Sequence, residues 1–199
     1  RHRIILPVVS LAVLLAATFY MQPRAMSYFG LNLLFNLAVP IALATIAQMM
    51  IIMVNDIDLS LGAFVSLAAC VTATFLNDTP MIGLLILLAL ILSYAVLGAL
   101  IHALELPAIV VTLGMSFVWS GLALFILSSP GGASPGWLRT LMTVKPPFAP
   151  MAVVAAVIIA GVTHLLIIRS GLGTVLRGVG GNARSVERAG WPVIRLKAL

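Results

Sequence analysis

Long apolar stretches, separated by short polar or proline- and glycine-rich segments, make up most of the sequence. About 20 apolar residues in a helix cross the roughly 30 Å of bilayer hydrocarbon. By that measure we predict an all-α bundle of transmembrane helices. The six predicted spans are residues 4–20, 31–54, 59–76, 81–104, 106–127 and 148–168. Residues 128–147 are rich in proline and glycine, which predicts a loop outside the membrane.

Residues 169–199, called the basic segment below, follow the last apolar stretch and form a second, extra-membrane unit of the prediction. Gly180-Gly181-Asn182 is typical of a turn that ends in a helix N-cap, because an Asn side chain accepts hydrogen bonds from the first helical turn. Residues 183–189 then form a two-turn helix, called the short helix below, which Gly190 stops. Since so short a helix is marginal by itself, we expect it to dock on another surface.

Composition and charge set the class of protein and its orientation. Of 199 residues, 62% are hydrophobic and only 8% are charged, an apolar excess that no soluble core of this size needs. The net charge of +6 does not indicate nucleic-acid binding, because the basic residues flank the predicted spans. With six spans, eight of the eleven Lys and Arg residues lie on the side of the N-terminus and the basic segment, which places both in the cytoplasm.

Two carboxylates lie between the second and third predicted spans, at Asp56 and Asp58. An ionised carboxylate at membrane depth costs at least about 2.5 kcal/mol, so each should be paired, solvated or engaged in capping a helix. One interpretation is that Asp58 or Ser60 caps the third span, with Gly62 in the same turn. The other is a proton or cation site built from Asp56 and Asp58, as in an ion- or proton-coupled secondary transporter. The residues of the spans that could complete such a site are His102, Glu105 and His164.

Amide side chains within the second span form another unusual set. Because they cannot face lipid cheaply, they either make interhelical hydrogen bonds or line a solute pathway. The candidate pathway residues are Asn32, Asn36, Gln48 and Thr112. No His, Cys or carboxylate residues have the spacing of metal ligands, and no phosphate-binding Gly-Lys-Ser/Thr loop is present. ATP hydrolysis is therefore not expected in this chain.

Three segments, in the right order, resemble the membrane permeases of ribose-type bacterial ABC importers. The first is IDLSLG at residues 57–62, which is similar to the permease segment GGIDLSVG. The second is LPAIVVTLG at residues 106–114, which is similar to LPPFIVTLG at the start of a later span. The third is Gly180-Gly181-Asn182 with Gly190 and Lys197, which resembles the cytoplasmic segment that docks on the ATPase.

The resemblance implies a permease subunit that imports a monosaccharide (ribose-, xylose- or galactose-like) or a similar small polar solute by alternating access. The implied partners are an ABC ATPase, which would hold the ATP and Mg, a periplasmic solute-binding protein, and a second permease subunit in a homo- or heterodimer. The implied location is the bacterial inner membrane. The short helix becomes the coupling helix, and the residues that contact the ATPase become Gly180, Gly181, Asn182, Ala183, Arg184, Ser185, Val186, Glu187, Arg188, Ala189 and Gly190.

The chain departs from the family pattern at several places. Asn55-Asp56 stands where Gly-Gly is usual, so we expect a wider turn there and an additional charge. Ser185-Val186 replaces two alanines, which is expected to alter the fit to the ATPase. Permeases of this kind continue with further spans after the coupling segment, so we expect this chain to be the N-terminal part of a larger permease.

Overall fold

The computed structural model describes residues 5–129, 131–144 and 150–198, and over these residues it is helical without strands. The predicted all-α class is therefore confirmed. The helices are α1 (Ile5–Met21), α2 (Tyr28–Met53), α3 (Leu61–Thr74), α4 (Pro80–Ala103), α5 (Ala108–Ile126), α6 (Gly136–Thr143), α7 (Met151–Thr163), α8 (Gly171–Arg188) and α9 (Val193–Ala198). A short 3₁₀ helix, Pro23–Met26, precedes α2, and a π-helical turn, His164–Ile168, continues α7.

The predicted count of six spans is not confirmed. Among the described residues, three helices are long and apolar enough to cross a membrane: α2, α4 and α5. A fourth span results only if α7 with its π turn and α8 are counted together, and these are bent by 75° where they meet. The other two apolar helices are shorter, with 17 residues in α1 and 14 in α3. At 1.5 Å per residue, α3 is about 21 Å long, against roughly 30 Å of hydrocarbon.

The third predicted span is shorter than expected because its first residues fold differently. The Asp58 carboxylate accepts a hydrogen bond from the backbone N–H of Ser60 at 2.6 Å, and this turn delays the helix until Leu61. The predicted loop 128–147 was wrong in part, because eight of its residues form α6 between the flanking prolines. The predicted sixth span begins outside the described residues at 148 and 149, and its regular α-helix ends at Thr163.

Helices α2 and α4 are each followed by a residue in the same left-handed backbone conformation. After α2, Asn55 adopts a left-handed conformation with φ 63°, and after α4, Glu105 does the same with φ 50°. In both places the N–H of the left-handed residue and the N–H of the residue after it bond back to carbonyls of the last helical turn, which is the Schellman motif. The turn at Asn55 is therefore as tight as a glycine turn, and the expected widening was wrong. Asn is the non-glycine residue that tolerates this conformation best.

Two apolar clusters organise the described part of the chain. In the first, α3 packs against α4 and α5 through Leu67, Val71 and Trp119, which are at most 5% exposed. In the second, α8 packs on the end of α2 and against α9, while α9 itself lies mainly against α4. Elsewhere, large side chains such as Phe125 (87% exposed) point away from the protein. Such exposed apolar surface is typical of helices that face lipid or another subunit.

Candidate functional site

The short helix of the basic segment has the local structure that the sequence predicts. Helix α8 changes direction at Asn182, whose backbone is extended with φ −160° and ψ 95°. The Asn182 side-chain oxygen accepts a hydrogen bond from the N–H of Ser185 at 3.1 Å, so the predicted N-cap is confirmed. The short helix that begins at 183 is closed by Gly190, which has a left-handed φ of 88° and completes a Schellman motif.

Gly180 and Gly181 do not form the predicted turn, because both belong to the helical part of α8 that precedes the bend. Gly180 faces the last residues of α2. A Cβ atom at this position would overlap the carbonyl oxygen of Met53 and lie 3.3 Å from the backbone nitrogen of Asn55. Only glycine therefore allows α8 to approach the backbone of α2 this closely. The same construction at Gly181 meets nothing within 4 Å.

The basic segment is docked on its own chain. Leu176 and Val179 of α8 and Val193 and Leu196 of α9 are all at most 7% exposed, and they form one cluster. The surface that covers them includes the end of α2, at Met53 and Val54, and part of the short helix. The burial that the isolated short helix lacks is therefore supplied in part within this chain.

The arginines of the basic segment lie outside this cluster. The side chains of Arg177, Arg184 and Arg188 are exposed. Beside them, an open cavity of about 310 Å³ runs along the short helix. Its lining residues are Thr174, Val175, Gly178, Asn182, Ser185, Val186, Ala189 and Trp191. Although Trp191 is apolar, 46% of its surface is exposed.

Asp58 anchors the start of α3 to α4. Its carboxylate, which is 8% exposed, accepts hydrogen bonds from the Ser60 N–H at 2.6 Å, from the Ser60 hydroxyl at 2.7 Å and from the phenol of Tyr94. Ser60 occupies the N-cap position of α3, but its side chain makes no cap hydrogen bond. The predicted cap was therefore wrong in detail, since Asp58 binds the N–H ahead of α3 rather than one in its first turn. Gly62 lies in that first turn, with open space where a Cβ would be.

Asp56 has a different partner. Its carboxylate forms an ion pair with the ammonium group of Lys197 on α9, with an N–O distance of 2.7 Å. The two side chains are 27% and 17% exposed, respectively. Asp56 and Asp58 therefore have separate partners, and their pairing as one site does not appear among these contacts. No three His, Cys, Asp or Glu side chains of the described residues are grouped so that they could hold a metal ion.

Two of the four predicted pathway residues lie together. Asn32 and Asn36, one turn apart on α2 with their amide groups 3.5 Å from each other, line an open cavity of about 340 Å³. The other lining residues are Tyr28, Ser134, Leu138, Arg139, Thr143 and Val144. We call this the amide cavity. It lies at the beginning of α2, whereas the basic segment contacts the end of the same helix.

The other two predicted pathway residues lie elsewhere. Gln48 is half-buried further along α2 and does not line the amide cavity. Thr112 is 3% exposed, and its hydroxyl accepts a hydrogen bond from the N–H of Leu59 at 3.1 Å while it donates to the carbonyl of Ala108 at 2.8 Å. In this structure Thr112 therefore fastens the turn before α3 to α5.

The sequence prediction missed two residues of these sites, Tyr94 and Arg139. Tyr94 follows Ser93 in the middle of an otherwise apolar helix, and that isolated polar pair was the available signal. The predicted loop 128–147 includes Arg139, but this residue belongs to α6, which brings it to the amide cavity.

A family model described as "Branched-chain amino acid transport system / permease component" matches residues 30–199. No curated protein and no solved structure is significantly similar to the chain. Because the matching region covers most of the sequence, the chain belongs to this family of permease components, the inner-membrane components of binding-protein-dependent ABC transport systems.

Proposed function

We propose that this chain is the permease subunit of an ATP-driven importer that moves a monosaccharide, or a similar small polar solute, by alternating access. A separate ATPase binds the short helix, hydrolyses ATP with Mg, and drives the change between outward- and inward-facing states. A periplasmic binding protein delivers the solute, and a second permease subunit completes the pathway. The observation that carries the proposal is the capped short helix, which lies beside exposed arginines and is packed on the end of α2.

The surface around the short helix supports an ATPase as its partner. The exposed arginines provide long-range attraction to an acidic surface. The open cavity beside Trp191 provides apolar area for a partner side chain, and aromatic residues are enriched at such interface anchors. Ser185 and Val186, the residues that depart from the two alanines of the family pattern, both line this cavity. They are therefore positioned to determine which ATPase fits.

The amide cavity supports a solute rich in hydroxyl groups. Its lining combines two carboxamides, a guanidinium group and several hydroxyls with only two aliphatic side chains, Leu138 and Val144. Carboxamides can both donate and accept hydrogen bonds, as sugar hydroxyls require. The lining therefore favours a monosaccharide over a branched-chain amino acid, and its volume lies within the range of small-molecule sites.

Transport by the reconstituted complex tests this proposal. The permease would be co-purified with its ATPase, inserted into proteoliposomes with ATP inside or outside, and supplied with the binding protein and either labelled ribose, xylose and galactose or labelled leucine. We expect sugar uptake that requires ATP on the side of the ATPase. Asn36→Ala should lower it, while Asn77→Ala, at an exposed amide outside the cavity, should not. Uptake of leucine alone would refute the solute class but not the importer.

The orientation, with six spans and both the N-terminus and the basic segment in the cytoplasm, is part of the same proposal. Cys70 is the only cysteine of the sequence, so Cys70→Ser gives a background for labelling single introduced cysteines. In intact cells an impermeant maleimide should label Arg139→Cys, at the amide cavity, and should label Arg184→Cys only after permeabilisation. Labelling of Arg184→Cys in intact cells would overturn the orientation and, with it, docking of a cytoplasmic ATPase.

A secondary transporter that uses Asp56 and Asp58 is the alternative function. The separate partners of the two carboxylates, Lys197 and Tyr94, do not favour a shared proton or cation site. Uptake driven by an imposed proton gradient without ATP, and abolished by Asp58→Asn, would establish the alternative and refute the importer.

A further inference from the structure

We propose that the ATPase-driven movement of the short helix reaches the solute pathway across space, through the end of α2, rather than along the chain through α7. Two contacts carry it: the close approach of Gly180 to Met53 and the ion pair between Lys197 and Asp56. We call these two contacts the strap. The inference rests on the proposed function, because it names the route by which that ATPase would act.

The first contact leaves no room for slippage between α8 and α2. At Gly180 the two backbones are so close that a Cβ atom would overlap the Met53 carbonyl oxygen. Around this point Leu176 and Val179 are buried against the same end of α2. Since packed protein interiors are dense and poorly compressible, a displacement of α8 toward α2 is passed on instead of being absorbed.

The second contact, the ion pair between Lys197 and Asp56, connects α9 to the turn after α2. Lys197 belongs to α9, which is fixed by Val193 and Leu196 at 2% and 7% exposure. Its ammonium group holds Asp56, the residue directly after the left-handed Asn55 that closes α2. A partly exposed ion pair contributes little to folding stability. Its consequence here is geometric, because it places the turn after α2 beside α9, so that a movement of α9 acts on that turn.

The chain connection between α7 and α8 is irregular and strongly bent. Helix α7 becomes π-helical at His164–Ile168, and its direction differs by 75° from that of α8 after a short break. The Ser170 side chain spans this break, because its hydroxyl donates to the carbonyl of Ile167 at 3.0 Å and accepts a hydrogen bond from the N–H of Gly173 at 3.4 Å. A bend of this kind absorbs movement as a hinge does. It therefore allows the angle between α7 and α8 to change.

A movement of the end of α2 would reach the amide cavity, because residues at the beginning of α2 line that cavity. Helix α2 has 26 residues and continues through Pro40, so it is about 39 Å long at 1.5 Å per residue. Asn32 and Asn36 lie at its beginning and line the amide cavity. A tilt imposed at Met53 therefore changes the position of these amides relative to Arg139 on α6. This links the ATPase side to the solute side through one helix.

Charge reversal tests the strap. Asp56→Lys, Lys197→Asp and the double variant would be compared in the full reconstituted complex for ATP hydrolysis, for ATPase co-purification and for solute moved per ATP. We expect each single reversal to keep the ATPase bound and hydrolysing but to lower the solute moved per ATP by about fivefold or more, the low end of couplings between sites. The double variant should restore most of it. Asp78→Lys, a charge reversal at an exposed site outside the strap, is the control.

The outcomes separate this inference from the proposed function. If the unaltered complex shows no ATP-dependent uptake, the importer itself is refuted. If it does, but the single reversals keep the normal solute-to-ATP ratio, or the double variant is as defective as the singles, the strap is refuted alone. Gly180→Ala should uncouple transport in the same way, whereas Gly171→Ala, where a Cβ meets nothing within 4 Å, should not.

A cross-link covers the case in which the reversals prevent assembly. In the Cys70→Ser background, Asp56→Cys and Lys197→Cys would be joined by a short bifunctional thiol reagent after assembly. Because the strap holds these positions together through the cycle, the joined protein should keep its ATP-driven transport. Loss of transport on joining, reversed by a cleavable reagent, would mean that the two positions must separate, and it would overturn the inference.

Discussion

The hydrogen bond between Tyr94 and Asp58 can be tested by removing a single atom. Tyr94→Phe deletes the phenol oxygen and leaves the ring, whose centroid lies 4.4 Å from that of Phe64 and 6.5 Å from that of Trp119. The packing between α3, α4 and α5 is therefore kept. What changes is the number of donors to the buried carboxylate, which falls from three to the two supplied by Ser60.

The size of the effect follows from the burial of Asp58. With 8% of its surface exposed, the carboxylate has little access to water that could replace the phenol. A hydrogen bond to a charged group contributes about 1.5–3 kcal/mol, so we expect a loss of about 2 kcal/mol in the free energy of unfolding. For a chain of this length, that corresponds to a fall of about 4–8 °C in Tm.

Unfolding of the purified protein in detergent, followed by tryptophan fluorescence, measures this loss. Tyr20→Phe removes the same atom from a side chain that is 89% exposed and is the matched control. Combining Tyr94→Phe with Asp58→Asn in a double-mutant cycle should give a coupling of at least about 1 kcal/mol between the two side chains. If Tyr94→Phe stays within about 0.5 kcal/mol of Tyr20→Phe, as for ordinary surface changes, the anchoring role assigned to Asp58 is wrong.

Three further predictions concern helix ends and turns. Glu105→Gly should raise the free energy of unfolding by about 1 kcal/mol, because glycine adopts φ 50° without strain. Ala103→Gly inside α4 should lower the free energy of unfolding, and equal effects of the two variants would contradict this explanation. Asn182→Ala should remove the N-cap and destabilise the short helix by about 1 kcal/mol, seen as faster amide exchange there, and Asn182→Ser should restore protection. Thr112→Val should leave the Leu59 N–H without its acceptor and lower the free energy of unfolding by about 1–3 kcal/mol, measured by thermal unfolding. Thr112→Ser keeps the hydroxyl, so a loss of equal size in that variant would refute the hydrogen bond as the cause.

The sequence alone determined the features that depend on neighbouring residues. Apolar composition predicted a helical membrane protein, and the family match agrees with that class. The N-cap at Asn182 and the stop at Gly190 were predicted correctly, because a cap involves atoms within one helical turn. The motifs at 57–62, 106–114 and 180–182 were sufficient to indicate the family of ABC permeases. Helix ends were less certain: the third span was predicted two residues too long at each end, and at its start the reason is a side-chain turn at Asp58 that competes with the helix.

The tertiary structure decided every contact between residues far apart in the chain. Asp56 and Asp58 are two positions apart, yet one binds Lys197 on α9 and the other Tyr94 on α4. Successive residues of a turn point in different directions, so their partners depend on which helices lie on either side. The same holds for Gly180, where glycine is required because α2 lies against it. Local sequence fixes the conformation of a turn or cap through short-range sterics and hydrogen bonds, whereas the packing of whole helices fixes what that turn touches.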